Sequence, residues 1–122
     1  MRPVSATSFR ASAGAQLVIG SPGLSSRAVA LTLINYLGYG MTLQAAADAP
    51  RFQGSQPGQP TVIESRVPEA VRATLKKEYG VNVRPTTPYN WHLGSIHAIA
   101  RAADGPLTGI ADPRRAGEAA GY

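Results

Sequence analysis

The tetrapeptide Gly20-Ser21-Pro22-Gly23, set between a short apolar run and a long helical stretch, constrains this chain more than any other feature. A proline flanked by glycines predicts a tight turn whose backbone N–H groups can point out of the fold. The run before it, Gln16 to Ile19, reads as an apolar strand. Ser25 or Ser26 can cap the helix that follows, because a hydroxyl there accepts from a free amide two or three residues on. A turn feeding a helix start gathers amide N–H groups that lack internal partners. Such a place can hold a carboxylate or a developing oxyanion without side-chain chemistry. The side chains offer no convincing catalytic set, so backbone donors are the expected contribution.

The remaining pattern mixes helix and strand. From Arg27 a helix is expected through Ala28, Val29, Leu31, Leu33, Ile34 and Leu37, apolar on more than one face and so covered on most sides. Gly38 or Gly40 ends it. Thr42 caps a second helix, Leu43 to Ala49, stopped by Pro50. Gln53 to Pro60 reads as a loop and Thr61 to Ser65 as a strand. Val67 to Tyr79 predicts an amphipathic helix, ended by Gly80, whose Val71, Leu75 and Tyr79 stripe is expected to be core. Val81 to Arg84 alternates like a strand, and residues 85–93 form a loop carrying Trp91 and His92. Ser95 to Arg101 and Leu107 to Ala111 predict a hairpin about the turn Ala103 to Pro106. Residues 1–15, rich in Ser, Ala and Gly, read as loose. The order argues for a layered α+β sandwich.

At 122 residues the chain is at most one domain, with an ordinary apolar fraction of 43%. It contains no cysteine, which excludes disulfides and thiolate metal sites. The longest apolar run, Ala28 to Met41, is too short and too interrupted for a membrane span. The first residues have no apolar stretch of the signal-peptide kind, so either the chain stays in the cytosol or its true N-terminus lies elsewhere. Net charge is +5, but the basic residues are scattered and no aromatic residues interleave with them, so nucleic acid is not the expected partner.

His92 and His97, five apart with no carboxylate at a suitable spacing, lack a metal-ligand pattern. His97 alternates with Ile96 and Ala98 and is expected to face solvent or pack with a satisfied ring. Ser21, Ser25 and Ser26 lack the Gly-x-Ser-x-Gly elbow of a serine nucleophile. Asp112-Pro113-Arg114 reads as structural: the Asp starts a turn and the Arg pairs with carboxylates or carbonyls.

Together these blocks resemble the C-terminal part of the small subunit of gamma-glutamyltransferase, also called gamma-glutamyl transpeptidase. The glycine-rich turn and its helix are similar to that family's. Tyr39 to Phe52, with Gly40-Met41 and Ala49-Pro50-Arg51-Phe52, resembles its Gly-Met…Glu-Ala-Val…Ala-Pro-Arg-Phe segment. Gly109-Ile110-Ala111-Asp112-Pro113-Arg114-Arg115 and Ala120-Gly121-Tyr122 look like its C-terminus.

The resemblance implies part of an αββα N-terminal-nucleophile hydrolase sandwich and treats residues 1–122 as a single partial domain. It implies an N-terminal threonine that attacks the gamma-glutamyl amide of glutathione and related donors, with its free amino group as base and no cofactor. Nothing in the sequence looks like the family's Thr-Thr-His opening, so the large subunit and the N-terminal part of the small subunit are the implied partners. The family's serine pair falls on Ser5 and Ala6, leaving Ser5 as the substrate-binding candidate. Its paired oxyanion glycines fall on Gly23 and then on Leu24 or Ser25, with one extra residue before Arg27. Gly23 and Ser25 are therefore the candidate oxyanion N–H donors, of which a lost one costs ~3 kcal/mol of transition-state stabilisation. A fold kept without its chemistry is the alternative.

Overall fold

The computed structural model describes residues 5–10, 14, 16–22, 26–54 and 57–121. They form two compact units, Met1–Ala49 with Gly94–Tyr122, and Pro50–Leu93.

The first unit is built on β2 (Gln16–Ser21), where Leu17, Ile19 and Ser21 are buried and Gln16 and Val18 are exposed. That alternation gives the sheet one dry face. The sheet has strand order β1-β2-β6-β7, with β1 Ser5–Arg10, β6 His97–Arg101 and β7 Leu107–Ala111, every pair antiparallel. The expectation of loose residues 1–15 is corrected over Ser5–Arg10, a strand paired with β2 from Ser5 opposite Ser21 to Arg10 opposite Gln16. It lacks an apolar alternation, but an edge strand needs one partner and can be templated by its neighbour's ladder.

Two helices cover the dry face. The core joins Leu17, Ile19, Ile96, Ala98, Ala100 and Ile110 to Ala28 of α1 (Ser26–Leu33) and to Leu43 and Ala47 of α2 (Leu43–Asp48). Thr42 caps α2 as its sequence predicts, its Oγ1 accepting the Ala45 N–H at 3.2 Å. α1 runs on into a π-helical turn, Ile34–Gly38. The expectation that this helix is covered on most sides fails. Only Ala28 and Thr32 of α1 are buried, while Ile34 and Leu37 are 53% and 63% exposed. One side meets the sheet, and among the described residues no layer lies against the other.

The second unit carries β3 (Phe52–Gln53), β4 (Thr61–Glu64), α3 (Glu69–Tyr79) and β5 (Val83–Thr86). β3 pairs antiparallel and β5 parallel with β4, so α3 serves as the crossover helix. Gly80 ends α3 in the left-handed region at φ 64°, where a side chain is disfavoured. The expected core stripe on α3 is overturned: none of its residues is buried, and Val71 and Tyr79 are 46% and 70% exposed. A sheet of three short strands offers too little surface to cover it. The loop predicted over residues 85–93 begins inside β5, which runs to Thr86, and contains a 3-10 turn, Trp91–Leu93.

Candidate functional site

The register of the four-stranded sheet brings Ser5, Ser21 and His97 to one end of the sheet. Ser5 opens β1 directly opposite Ser21, the last residue of β2. Gly20 stands opposite His97, the first residue of β6, and His97 opposite Ala111, the last of β7. The beginning of β1, the end of β2, the entry to β6 and the end of β7 thus share one end of the sheet. Gly23 and Ser25 lie outside the described residues, as does Leu24; Pro22 and Ser26 bracket them. Ser26 is the first residue of α1.

The entry to β6 is held by side chains rather than by the ladder. Ser95 and Ile96 precede the strand and are 1% and 0% exposed, so their N–H groups need buried acceptors. Ser95 N–H donates to Ser21 Oγ at 3.0 Å, and Ile96 N–H to Asp112 Oδ2 at 2.7 Å. Ser21 faces the core because it shares the parity of Leu17 and Ile19, and it is 4% exposed. A hydroxyl so placed is no exposed nucleophile.

Asp112 accepts twice more through Oδ1, from Arg114 N–H at 3.0 Å and from Arg114 Nη1 at 3.1 Å. Arg114 then donates from Nη1 to Ala47 O at 3.0 Å and from Nη2 to Ala49 O at 2.8 Å. A guanidinium on the last carbonyls of α2 satisfies acceptors that a helix end leaves open. The structural reading of Asp112-Pro113-Arg114 therefore holds. Gln44 adds a second tie, Nε2 donating to Ala111 O at 2.9 Å.

On the sheet face turned away from the helices, an open cavity of about 400 Å³ is lined by Val18, Gly20, His97, Ile99 and Gly109, with Glu118, Ala119 and Ala120 over it. His97 is exposed there between buried Ile96 and Ala98, as the alternation predicts. His92 stacks on Trp91 at 3.7 Å between ring centroids.

The second unit has a polar centre with no counterpart in the sequence reading. Glu64, fully buried, accepts from Arg51 N–H at 3.1 Å and Arg66 Nη2 at 2.8 Å on Oε2, and from Asn90 N–H at 3.0 Å on Oε1. Arg66 also lies 3.8 Å over the Tyr89 ring. These bonds tie the buried carboxylate to three segments of the second unit, which gives Glu64 an architectural role. The signal was available: an acid sits beside Ile63 in a strand too short to bury a charge without partners.

The sequence profile of the gamma-glutamyltranspeptidase family matches residues 2–122. A glutathione hydrolase proenzyme of Pseudomonas sp. (strain A14) is 34% identical over 115 residues, covering 87% of this chain and 20% of that protein. The chain thus spans a fifth of the length of that curated relative. The transpeptidase enzyme CapD of Bacillus anthracis shares the fold at TM-score 0.81 and 23% identity, over 98% of this chain and 70% of that one. A mutant of Helicobacter pylori gamma-glutamyltranspeptidase matches at TM-score 0.75 and 27% identity, over 94% of this chain and 62% of that one.

Proposed function

This chain belongs to the gamma-glutamyltranspeptidase family, and we propose that it forms the C-terminal part of a small subunit that transfers or hydrolyses the gamma-glutamyl group of glutathione and related amides. Residues 1–122 are in this reading a single partial domain of the αββα sandwich. A large subunit and an N-terminal small-subunit segment complete it and carry the threonine.

The threonine hydroxyl attacks the gamma-carbonyl, and its α-amino group takes the proton. The carbonyl oxygen becomes an oxyanion that collapses as the amine leaves with that proton. Water or an acceptor amine then resolves the acyl-enzyme by the same steps. Gly23 N–H, with Ser25 N–H as the second donor, faces the oxyanion, which is where fixed donors stabilise most. Ser5 binds the substrate carboxylate. The scheme calls for no cofactor.

The observation that carries this reading is the register placing Ser5 opposite Ser21, two residues before Gly23. It supports the reading, because the substrate-binding candidate Ser5 pairs with Ser21, the residue from which the glycine-rich turn departs. The name of the Pseudomonas relative, a glutathione hydrolase, supports the substrate class.

The test is a graft: this chain replaces the matched segment of the Pseudomonas relative, and release from a chromogenic gamma-glutamyl anilide is followed. Turnover by the graft and none by the chain alone is the expected result. A folded graft without turnover favours a second reading, a catalytically dead relic or interaction module that kept the fold. Ala6 and Leu24, standing where the family has Ser and Gly, favour that reading.

A further inference from the structure

We propose that a groove between α3 and β5 of the second unit binds a small carboxylate, held by Arg72 and Lys76. The proposal goes beyond the gamma-glutamyl reading and stands without it.

The groove is open and measures about 210 Å³, with Glu69, Arg72, Ala73 and Lys76 of α3 on one wall and Val83 and Pro85 of β5 on the other. The helical residues recur at i, i+3, i+4 and i+7, a spacing that stacks them on one side of the helix. Val83 and Pro85 share strand parity and so share a face.

Arg72 and Lys76 are like charges one turn apart, an arrangement that costs stability unless an anion lies between them. Glu69 does not supply that anion: among the described residues it makes no ion pair with Arg72. Arg72 Nε is closed off from solvent and meets no hydrogen-bond acceptor among the described residues. A buried N–H left in that state is rare and costly. Nε–H and the neighbouring Nη–H form a planar fork that matches the two oxygens of a carboxylate. A carboxylate in the groove satisfies the fork once the guanidinium edge turns toward it, and Lys76 adds a second positive charge.

Charge sets the class of ligand. Two cations against one carboxylate leave the groove a single positive charge in excess, which suits a monoanion. A phosphate brings more charge than that excess offsets and sets oxygens against Glu69. Ala73, Val83 and Pro85 take the short hydrocarbon end of the molecule.

The test is an NMR titration of the 15N-labelled graft with sodium acetate at constant ionic strength. It needs a folded graft and no turnover, so it is decided separately from the functional reading. Arg72 Nε–H and the Ala73 amide are expected to shift saturably. Arg72→Gln, which removes the fork, abolishes the Ala73 shift; Arg72→Lys, which keeps the charge without the fork, weakens binding. Lys76→Gln weakens acetate by about two- to fivefold, the range for one partly exposed charge pair. Lys77→Gln removes the same charge one position outside the groove and leaves the affinity unchanged. Phosphate binds less tightly than acetate, and Glu69→Gln narrows the difference. No saturable shift, tighter binding of phosphate than of acetate, full affinity in Arg72→Lys, or equal losses in Lys76→Gln and Lys77→Gln overturns the proposal.

Discussion

Asp112 Oδ1 and Arg114 Nη1 stand 3.1 Å apart with both side chains sealed from solvent. The pair satisfies more than itself, since Asp112 also takes the Ile96 N–H and Arg114 the carbonyls of Ala47 and Ala49. Breaking such a pair from one side leaves a buried charge uncompensated. Arg114→Ala in the graft is expected to lower stability by about 3–5 kcal/mol. Arg114→Lys recovers part of it, because one ammonium cannot reach both carbonyls and the carboxylate in the guanidinium's fork. Urea unfolding measures both, and a loss under about 1 kcal/mol for Arg114→Ala contradicts the account.

Glu64 makes a sharper case, because both its oxygens accept from N–H groups. An amide in its place must turn an NH2 toward a donor whichever way it flips. Glu64→Gln should therefore destabilise the second unit nearly as much as Glu64→Ala, by about 3 kcal/mol or more. Limited proteolysis between Pro50 and Leu93 reports it, and a well-tolerated Glu64→Gln contradicts it.

Gly109 sits close against the segment that follows β7. A Cβ there would stand 3.1 Å from Ala119 Cβ. Gly109→Ala is expected to shift Ala119 by a few tenths of an ångström and to speed amide exchange there. The pair Gly109→Ala with Ala119→Gly should restore it, a coupling that a double-mutant cycle reads directly.

The sheet face away from the helices exposes Val18 and Ile99 at 49% and 52%, and Ile34 and Leu37 stand uncovered on the helix side. The chain alone should therefore bind a hydrophobic dye and melt without a cooperative transition. The graft should bind less dye and melt sharply. A cooperative monomeric melt of the isolated chain contradicts this.

Elements set by local rules were legible in the sequence. The Thr42 cap, the Gly80 terminator, the alternation around His97 and the Asp112-Pro113-Arg114 turn all follow from a few neighbouring residues. What failed depended on partners far along the chain. β1 is a strand because β2 templates it, not because Ser5 to Arg10 alternate. The stripes on α1 and α3 show which side could be covered, and no residue pattern says whether a layer is present to cover it. For the site, Ser5 was legible as a candidate, but its place opposite Ser21 was not, because that rests on the β1–β2 register; Gly23 and Ser25 lie outside the described residues.

The central claim is that the turn at Gly23 supplies a backbone donor to the oxyanion of gamma-glutamyl transfer. Its most direct measurement is kcat on a gamma-glutamyl anilide for the graft and for the graft bearing Gly23→Pro, which removes that one N–H. The account predicts a fall of about a hundredfold or more in folded protein with KM little changed. An unaltered kcat would contradict it.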